Sequence, residues 1–360
     1  MTDVLIIGGG VAGLLTAREL LLAGARVTLL ERGLLGSESS WAGGGILSPL
    51  HPWHEAAAIN RLCRWSQAHY SALMQALYEH SGTDPEWWNC GSLYLDMDPV
   101  ECGQAQQWLQ QNAVENVVVD AAAVAAMEPG LRAGQGSSLW LPGIAQVRNP
   151  RLLKALIADV RQRGLTIMEG AGVEALKLAT GRVLGVEVAG RLWSAERYVV
   201  TAGAWSEGLL QFLRVAPVKG QIVLFQAHPG LLGRIVLADG HYLIPRRDGH
   251  ILAGSTVEQA GFDKSLTDQA LEELKAFALA TLPALAACTI ERQWAGLRPG
   301  TATGIPYIGA HPEYANLYFN CGHFRNGLVM GPASARLVAD LLLQREPIVP
   351  PEPYGLSEPH

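Results

Sequence analysis

Apolar residues open the chain as a block of strand length at positions 3–7, and glycines follow at once: residues 5–13 read Leu-Ile-Ile-Gly-Gly-Gly-Val-Ala-Gly. Positions 11–23 then carry apolar residues at helical spacing, with Leu14, Leu15, Ala17 and Leu21 available for a buried side. Gly24 closes that segment, and positions 26–30 form a second strand-length run. Farther along, Leu62, Trp65, Leu73 and Leu77 predict a long helix over 61–80. Helices are also expected over 101–112, 121–127, 150–163, 267–282 and 327–344. Strands are expected over 92–95, 166–168, 172–178, 183–188 and 197–200. A second run of strands covers 215–226, 233–237, 241–245 and 250–255, with Arg247-Asp248-Gly249 as a hairpin turn. Positions 290–297 and 317–320 complete the strands. The Pro-rich tail from Pro347 is expected to be extended or poorly ordered.

This order predicts an α/β fold of two unlike parts. The opening strand–turn–helix–strand belongs to a Rossmann-like sheet. The strand at 197–200 ends in Thr201-Ala202-Gly203-Ala204-Trp205-Ser206, a glycine turn that reads as a return to that sheet. The strand at 317–320 reads as a second return. A discontinuous cofactor domain therefore takes residues 1–82, 146–212 and 299–346. An α+β domain with a large antiparallel sheet takes 83–145 and 213–298, leaving 347–360 as a tail.

The glycines carry chemistry. Gly8, Gly10 and Gly13 occupy the three positions of G-x-G-x-x-G, directly after a strand and at the start of a helix. The first permits a tight turn, the second lets backbone approach a pyrophosphate, and the third lets helix and strand pack closely. Val11 and Ala12 lie at the helix N-terminus, where free N–H groups and the positive dipole end favour phosphate. Glu31 follows Gly10 at about the 20-residue distance of a ribose-binding acid. An acid there argues against NADP, whose extra phosphate it would repel. Arg32 follows it, and Ser39, Ser40, Gly43, Gly44 and Gly45 form a small-residue stretch able to approach a second part of the cofactor.

Composition narrows the picture. The chain has 360 residues, a formal charge of −6 and no long basic run, which makes nucleic acid an unfavoured partner. Nearly half its residues are apolar. No apolar run reaches the ~18 residues of a membrane span, and no signal-like segment precedes the first strand. Five scattered cysteines without C-x-x-C spacing fit reduced thiols and a cytoplasmic location. The dispersed histidines suggest no metal site.

Later segments are more specific. Pro217-Val218-Lys219-Gly220-Gln221, Tyr242-Leu243-Ile244-Pro245-Arg246, Trp294-Ala295-Gly296-Leu297-Arg298-Pro299-Gly300, Pro306-Tyr307-Ile308-Gly309 and Gly322-His323-Phe324-Arg325-Asn326-Gly327 occur in this order. With the glycine motif they resemble the D-amino acid oxidase superfamily of flavoproteins, and within it the thiamine-pathway glycine oxidases (glycine/D-amino acid oxidases). The resemblance covers nearly the whole chain. It implies FAD and hydride transfer from the substrate Cα to flavin N5. The imino acid then hydrolyses to a keto acid and ammonia, and O2 is reduced to hydrogen peroxide. It also implies a homo-oligomer, tetramer or dimer. Sarcosine oxidases of this superfamily hold flavin through a late cysteine; no cysteine lies between Arg298 and Ala315, so non-covalent FAD is expected.

The same resemblance assigns residues. Arg298 would grip the substrate carboxylate with two parallel donors, and Tyr242 would donate its hydroxyl to it. Arg325 would line the substrate site, its alternative being a surface loop arginine. His323, Asn326, Gly327 and Leu328 would present backbone to the flavin, and Val173 would offer backbone groups to adenine. Thr201, Gly203 and Trp205 complete the cofactor set, to which Arg298 and Arg325 also belong. Where members of the superfamily often carry a histidine two positions before the tyrosine, this chain has Gly240, with His241 adjacent. Lys219 is left outside the catalytic set, and no acid or base is assigned. Three other readings stay open: a D-amino acid dehydrogenase that passes electrons to a quinone, a tRNA-modifying or other non-oxidase flavoprotein, and a non-enzymatic FAD-binding protein.

Overall fold

The opening apolar block is the strand Val4–Ile7, buried along its length at the centre of a six-stranded sheet. The structure is a computed structural model describing residues 2–134 and 136–356. Strand order is Tyr307–Ala310, Leu317–Cys321, Arg197–Val200, Val4–Ile7, Val27–Leu30 and Thr166–Met168. Neighbours run parallel except Tyr307–Ala310 against Leu317–Cys321. Helices Val11–Leu22, Ala57–Ser81, Asn149–Gln162 and Gly327–Leu342 cover one face. An antiparallel sheet of Ala175–Ala179, Arg182–Val188 and Arg191–Trp193 packs on the other. Burial on both faces explains why the central strands read as continuous apolar runs rather than alternating ones. Both expected returns are present, since Val200 pairs with Ile7 and with Phe319.

A fully buried acid fixes the helices behind the glycine turn. Asp159 accepts from Arg18 Nε at 3.1 Å and Arg163 Nε at 3.0 Å, and lies 2.9 Å from His80 Nδ1. It thereby joins Val11–Leu22, Asn149–Gln162 and Ala57–Ser81.

The second sheet has eight strands, in the order Thr289–Gly300, Ala216–Gln226, Ile251–Gly254, His241–Pro245, Ile235–Ala238, Ser92–Tyr94, Ser138–Leu141 and Val117–Val119. Its pairs are antiparallel apart from Ile235–Ala238 beside Ser92–Tyr94. Helix Asp268–Thr281, capped by the Thr267 hydroxyl, packs on one face, and Pro99–Gln111, capped by Asp98, on the other.

Several boundaries shift for physical reasons. The strand expected to stop at 297 runs to Gly300, because it is an edge strand and Pro299 needs no ladder donor there. The strand expected from 172 starts at Ala175, leaving 172–174 as irregular backbone that borders a cavity. Residues 347–356 correct the expectation of an extended tail. They fold back so that Tyr354 is fully buried, its hydroxyl donating to the Ala58 carbonyl at 2.8 Å. Tyr354 and Val349 are buried in the helical core cluster with Ile348 packed against it, and the prolines leave less chain entropy to lose on ordering. Residues 357–360, also within the expected tail, lie outside the described residues.

Candidate active site

The glycine turn is built by exclusion of side chains. Gly8 has φ +111°, and a Cβ on it would lie 2.5 Å from the Thr201 carbonyl oxygen. A Cβ on Gly13 would lie 2.0 Å from the Gly8 carbonyl oxygen. Helix Val11–Leu22 therefore starts tight against the strand, and Gly10 gives it no side-chain cap. The Ser40 hydroxyl instead accepts from the Val11 N–H at 2.9 Å. The remaining first-turn donors and the helix dipole are available to an anion. Glu31 braces the turn: its carboxylate accepts from the N–H of Gly9 at 2.7 Å and of Gly33 at 2.8 Å. Each oxygen keeps acceptor capacity for a ribose hydroxyl. Beside it, the Arg32 guanidinium lies 3.4 Å over the Trp205 ring and pairs with Glu38 at 3.0 Å.

The serine–glycine stretch forms the short helix Ser39–Ala42 and then crosses toward the second sheet. Asn149 Nδ2 holds it by donating to the Ser40 carbonyl at 2.8 Å. Arg246, buried, holds it by donating to the Gly44 carbonyl at 2.8 Å. Burial pulls the Arg246 pKa down to about 10, so the side chain stays cationic at neutral pH. Sequence reasoning missed both anchors, because each acts across more than a hundred residues.

One cavity of about 490 Å³ joins this region to the eight-stranded sheet. Gly8, Gly10, Val11, Ala12, Glu31, Arg32, Ser39, Ser40, Gly43, Gly44, Gly45, Val173, Thr201, Gly203 and Trp205 border it. So do Tyr242, Arg298, His323, Arg325, Asn326, Gly327 and Leu328. Gly13 alone of the expected site residues stays behind the wall, where it sets helix–strand contact. Among the described residues, three buried polar atoms of cavity-lining residues have no hydrogen-bond partner: Asn149 Oδ1, Asn320 Oδ1 and His323 Nε2. Unmet polar groups of this kind are costly unless a ligand satisfies them. With the glycine cradle and Glu31, they fit an adenine dinucleotide lying along the cavity.

Arg298 stands at the other end, and its donors can be counted. Nη1 donates to the carbonyls of Lys219 at 3.3 Å and Thr256 at 3.2 Å, and Nη2 to Ser255 Oγ at 2.7 Å. A guanidinium has five N–H groups, so two remain, the number a carboxylate takes. Arg298 forms no ion pair among the described residues; burial, together with the positive charge of Arg325, lowers its pKa. The nearby acid Glu258 is engaged by Lys219, itself almost fully buried, at 3.3 Å. Tyr242 sits beside Arg298 with its hydroxyl unpartnered among the described residues, and the bare backbones of Gly44 and Gly254 make room for its ring. Arg325 is exposed at the cavity wall and likewise has no acidic partner among the described residues. His241 turns away, toward Glu273 at 3.4 Å and the Phe277 ring at 5.0 Å.

Gly220 makes the Arg298 position possible. A Cβ there would lie 2.2 Å from both terminal nitrogens. The Gly220→Ala protein is therefore expected to retain bound cofactor but to lose carboxylate affinity by about tenfold or more, the order of one charge-assisted hydrogen bond. Titration of both proteins with a non-reactive carboxylate checks this; equal dissociation constants would refute it.

The loop before helix Gly327–Leu342 closes the site, with Asn326 tied to Glu55 at 2.9 Å. Burial depresses the His323 pKa from 6.5 to about 4, so the ring is neutral at physiological pH. The unfolded chain then binds the extra proton. The stability this group contributes is complete above pH 6.5 and is lost as pH falls toward 4. Urea unfolding across that window is expected to show a decline of up to about 3 kcal/mol from this group. His323→Gln should flatten that decline, and an unchanged slope would contradict the assignment. Cys321 borders the cavity nearby, with its thiol pushed up to about 12 by burial and so protonated.

Two large sheets, with a cavity between them that runs from a glycine cradle to a buried arginine with two open donors, fit the site of a cofactor-dependent oxidoreductase. The profile of the family "DAO: FAD dependent oxidoreductase" matches residues 3–341, and the chain belongs to this family. Its cofactor is FAD. The glycine oxidase of Pseudomonas aeruginosa is 48% identical over 359 residues, covering 98% of each chain. That of Pseudomonas putida is 45% identical over 358 residues, with the same coverage. Among solved structures, glycine oxidase from Geobacillus kaustophilus superposes with a TM-score of 0.94 at 29% identity, covering 98% of each chain. No helix among the described residues is long and apolar enough to cross a membrane.

Proposed function

We propose that this chain oxidises glycine, and with it sarcosine and small D-amino acids such as D-proline and D-alanine. The observation that carries the reading is the uncommitted donor pair of Arg298 beside the free Tyr242 hydroxyl, at one end of a dinucleotide cavity. FAD, when bound, supplies the hydride acceptor. Arg298 takes both carboxylate oxygens and thereby fixes the amino acid's orientation as well as its charge. Tyr242 donates a further hydrogen bond to the same carboxylate. Catalysis by the chain is then mainly orientation of the Cα–H bond. No side chain is assigned as proton acceptor; the amine loses its proton either to solvent before reaction or on binding. The imino product of glycine or D-alanine hydrolyses to a keto acid and ammonia, that of sarcosine to glyoxylate and methylamine, and that of D-proline opens to an amino keto acid; O2 is reduced to hydrogen peroxide.

In this reading residues 1–82, 146–212 and 299–346 hold FAD non-covalently, at the cofactor positions described above. Residues 83–145 and 213–298 hold the substrate, and Arg325 lines the substrate end. The protein works in the cytoplasm as a homo-oligomer, tetramer or dimer, and serves thiamine thiazole formation. Turnover in air tests the acceptor: one peroxide per glyoxylate is expected. Keto acid formed only with an added quinone or dye would instead identify a dehydrogenase. Acid precipitation should release the flavin, light scattering should give a multiple of the chain mass, and a deletion strain should require thiazole.

A further inference from the structure

The Ser255 hydroxyl is committed in one direction and free in the other. It follows strand Ile251–Gly254, whose Gly254 pairs with Tyr242 on the neighbouring strand, so backbone pairing brings it to the Tyr242–Arg298 corner. Its oxygen accepts from Arg298 Nη2 at 2.7 Å, and the residue borders the cavity. A hydroxyl that accepts through a lone pair still has one hydrogen to donate. Ser255 donates to no acceptor among its hydrogen bonds in the described residues. Its neighbour Thr256 is spent differently: its carbonyl accepts from Arg298 Nη1, its hydroxyl donates to Glu258, and its oxygen accepts from the Gln221 N–H. The backbone here is also clamped, since Lys219 and Glu258 exchange both N–H···O bonds at 3.0 and 2.9 Å. Ser255 is thus held on a rigid support, next to the two N–H groups of Arg298 that remain open.

We propose that Ser255 is a substrate-contacting, specificity-determining residue. Its hydroxyl accepts from Arg298 and donates its own hydrogen to the substrate carboxylate, so that Arg298, Tyr242 and Ser255 form a three-sided carboxylate clamp. This deepens the amino-acid-oxidising function and rests on it. The chemistry it selects is a planar carboxylate whose four lone pairs meet the two open Arg298 N–H groups and the hydroxyls of Tyr242 and Ser255. An amine without a carboxylate gains nothing from it.

The test uses the FAD-loaded Ser255→Ala and Ser255→Thr proteins. A non-reactive carboxylate, glycolate, is titrated through the flavin spectrum, and glycine kinetics are measured. Ser255→Ala is expected to weaken glycolate and raise the glycine KM about ten- to fiftyfold, as for a hydrogen bond to a charged group. Its kcat should change less than KM, and Ser255→Thr should recover most of the affinity. A parallel pair in the Arg298→Lys background separates direct contact from an effect through Arg298. Direct donation predicts that Ser255→Ala still weakens glycolate there. Ser255→Ala within about twofold of the parent, or an effect that vanishes with Arg298→Lys, would overturn the proposal. If the parent protein responds to neither glycine nor glycolate, it is the proposed function that fails.

Discussion

Arg298→Ala is expected to raise the KM for glycine by about two to three orders of magnitude while the protein is still isolated with FAD. The size follows from removing one partner of a desolvated, hydrogen-bonded charge pair. Arg298 has three donors satisfied by Lys219, Ser255 and Thr256 and no carboxylate partner among the described residues. In the proposed function its positive charge meets the substrate carboxylate. The glycine turn lies at the other end of the cavity, so cofactor content should be little disturbed. Arg298→Lys is the informative companion: it keeps the charge but loses the planar fork, and should recover only part of the affinity. Steady-state kinetics with flavin content measured on the same samples check both. Unchanged kinetics in Arg298→Ala would remove the carboxylate site from Arg298.

Gly13→Ala is expected to yield protein largely free of FAD. The added methyl would sit 2.0 Å from the Gly8 carbonyl oxygen and 2.8 Å from the Thr201 hydroxyl. Both are held in place, since the Thr201 hydroxyl bonds to the carbonyls of Ile7 and Gly8. The helix must move away from the strand, which costs roughly 1–3 kcal/mol as overpacking and displaces the N-terminal N–H groups that the proposed site offers to the FAD pyrophosphate. Gly24→Ala is the control. Its φ is +86°, but a Cβ there meets nothing within 4 Å. The expected cost is roughly 1 kcal/mol of backbone strain with normal flavin content. Equal flavin content in the two variants would contradict the close-packing role of Gly13.

What the sequence disclosed depended on range. The turn at 5–13, the helix after it and Glu31 were legible because their signals lie within about thirty residues of one another. Tyr242, Arg298 and Arg325 were legible only through resemblance, since an arginine in an apolar run has no meaning until its neighbours are known. Gly220 and Arg246 stood in segments that carried the resemblance, but their roles, and those of Ser255 and Asn149, were not legible. Gly220 matters because antiparallel pairing sets it opposite Gly296, two residues from Arg298, and this emerges only with the register. Asn149 and Arg246 matter because both grip the Ser39–Gly45 segment from distant parts of the chain. The tail misled for a related reason. Its prolines are a local signal, whereas the burial of Tyr354 against Ala58 is set by the tertiary fold.

In the proposed reaction, FAD held by the glycine turn lies beside an amino acid held by Arg298. Anaerobic titration of the purified protein with glycine, sarcosine, D-proline and D-alanine tests it most directly. The flavin's visible absorbance should bleach with glycine and return when air is admitted, and the Arg298→Ala protein should need far more glycine to bleach. A yellow protein that stays oxidised with every member of that panel would contradict the account.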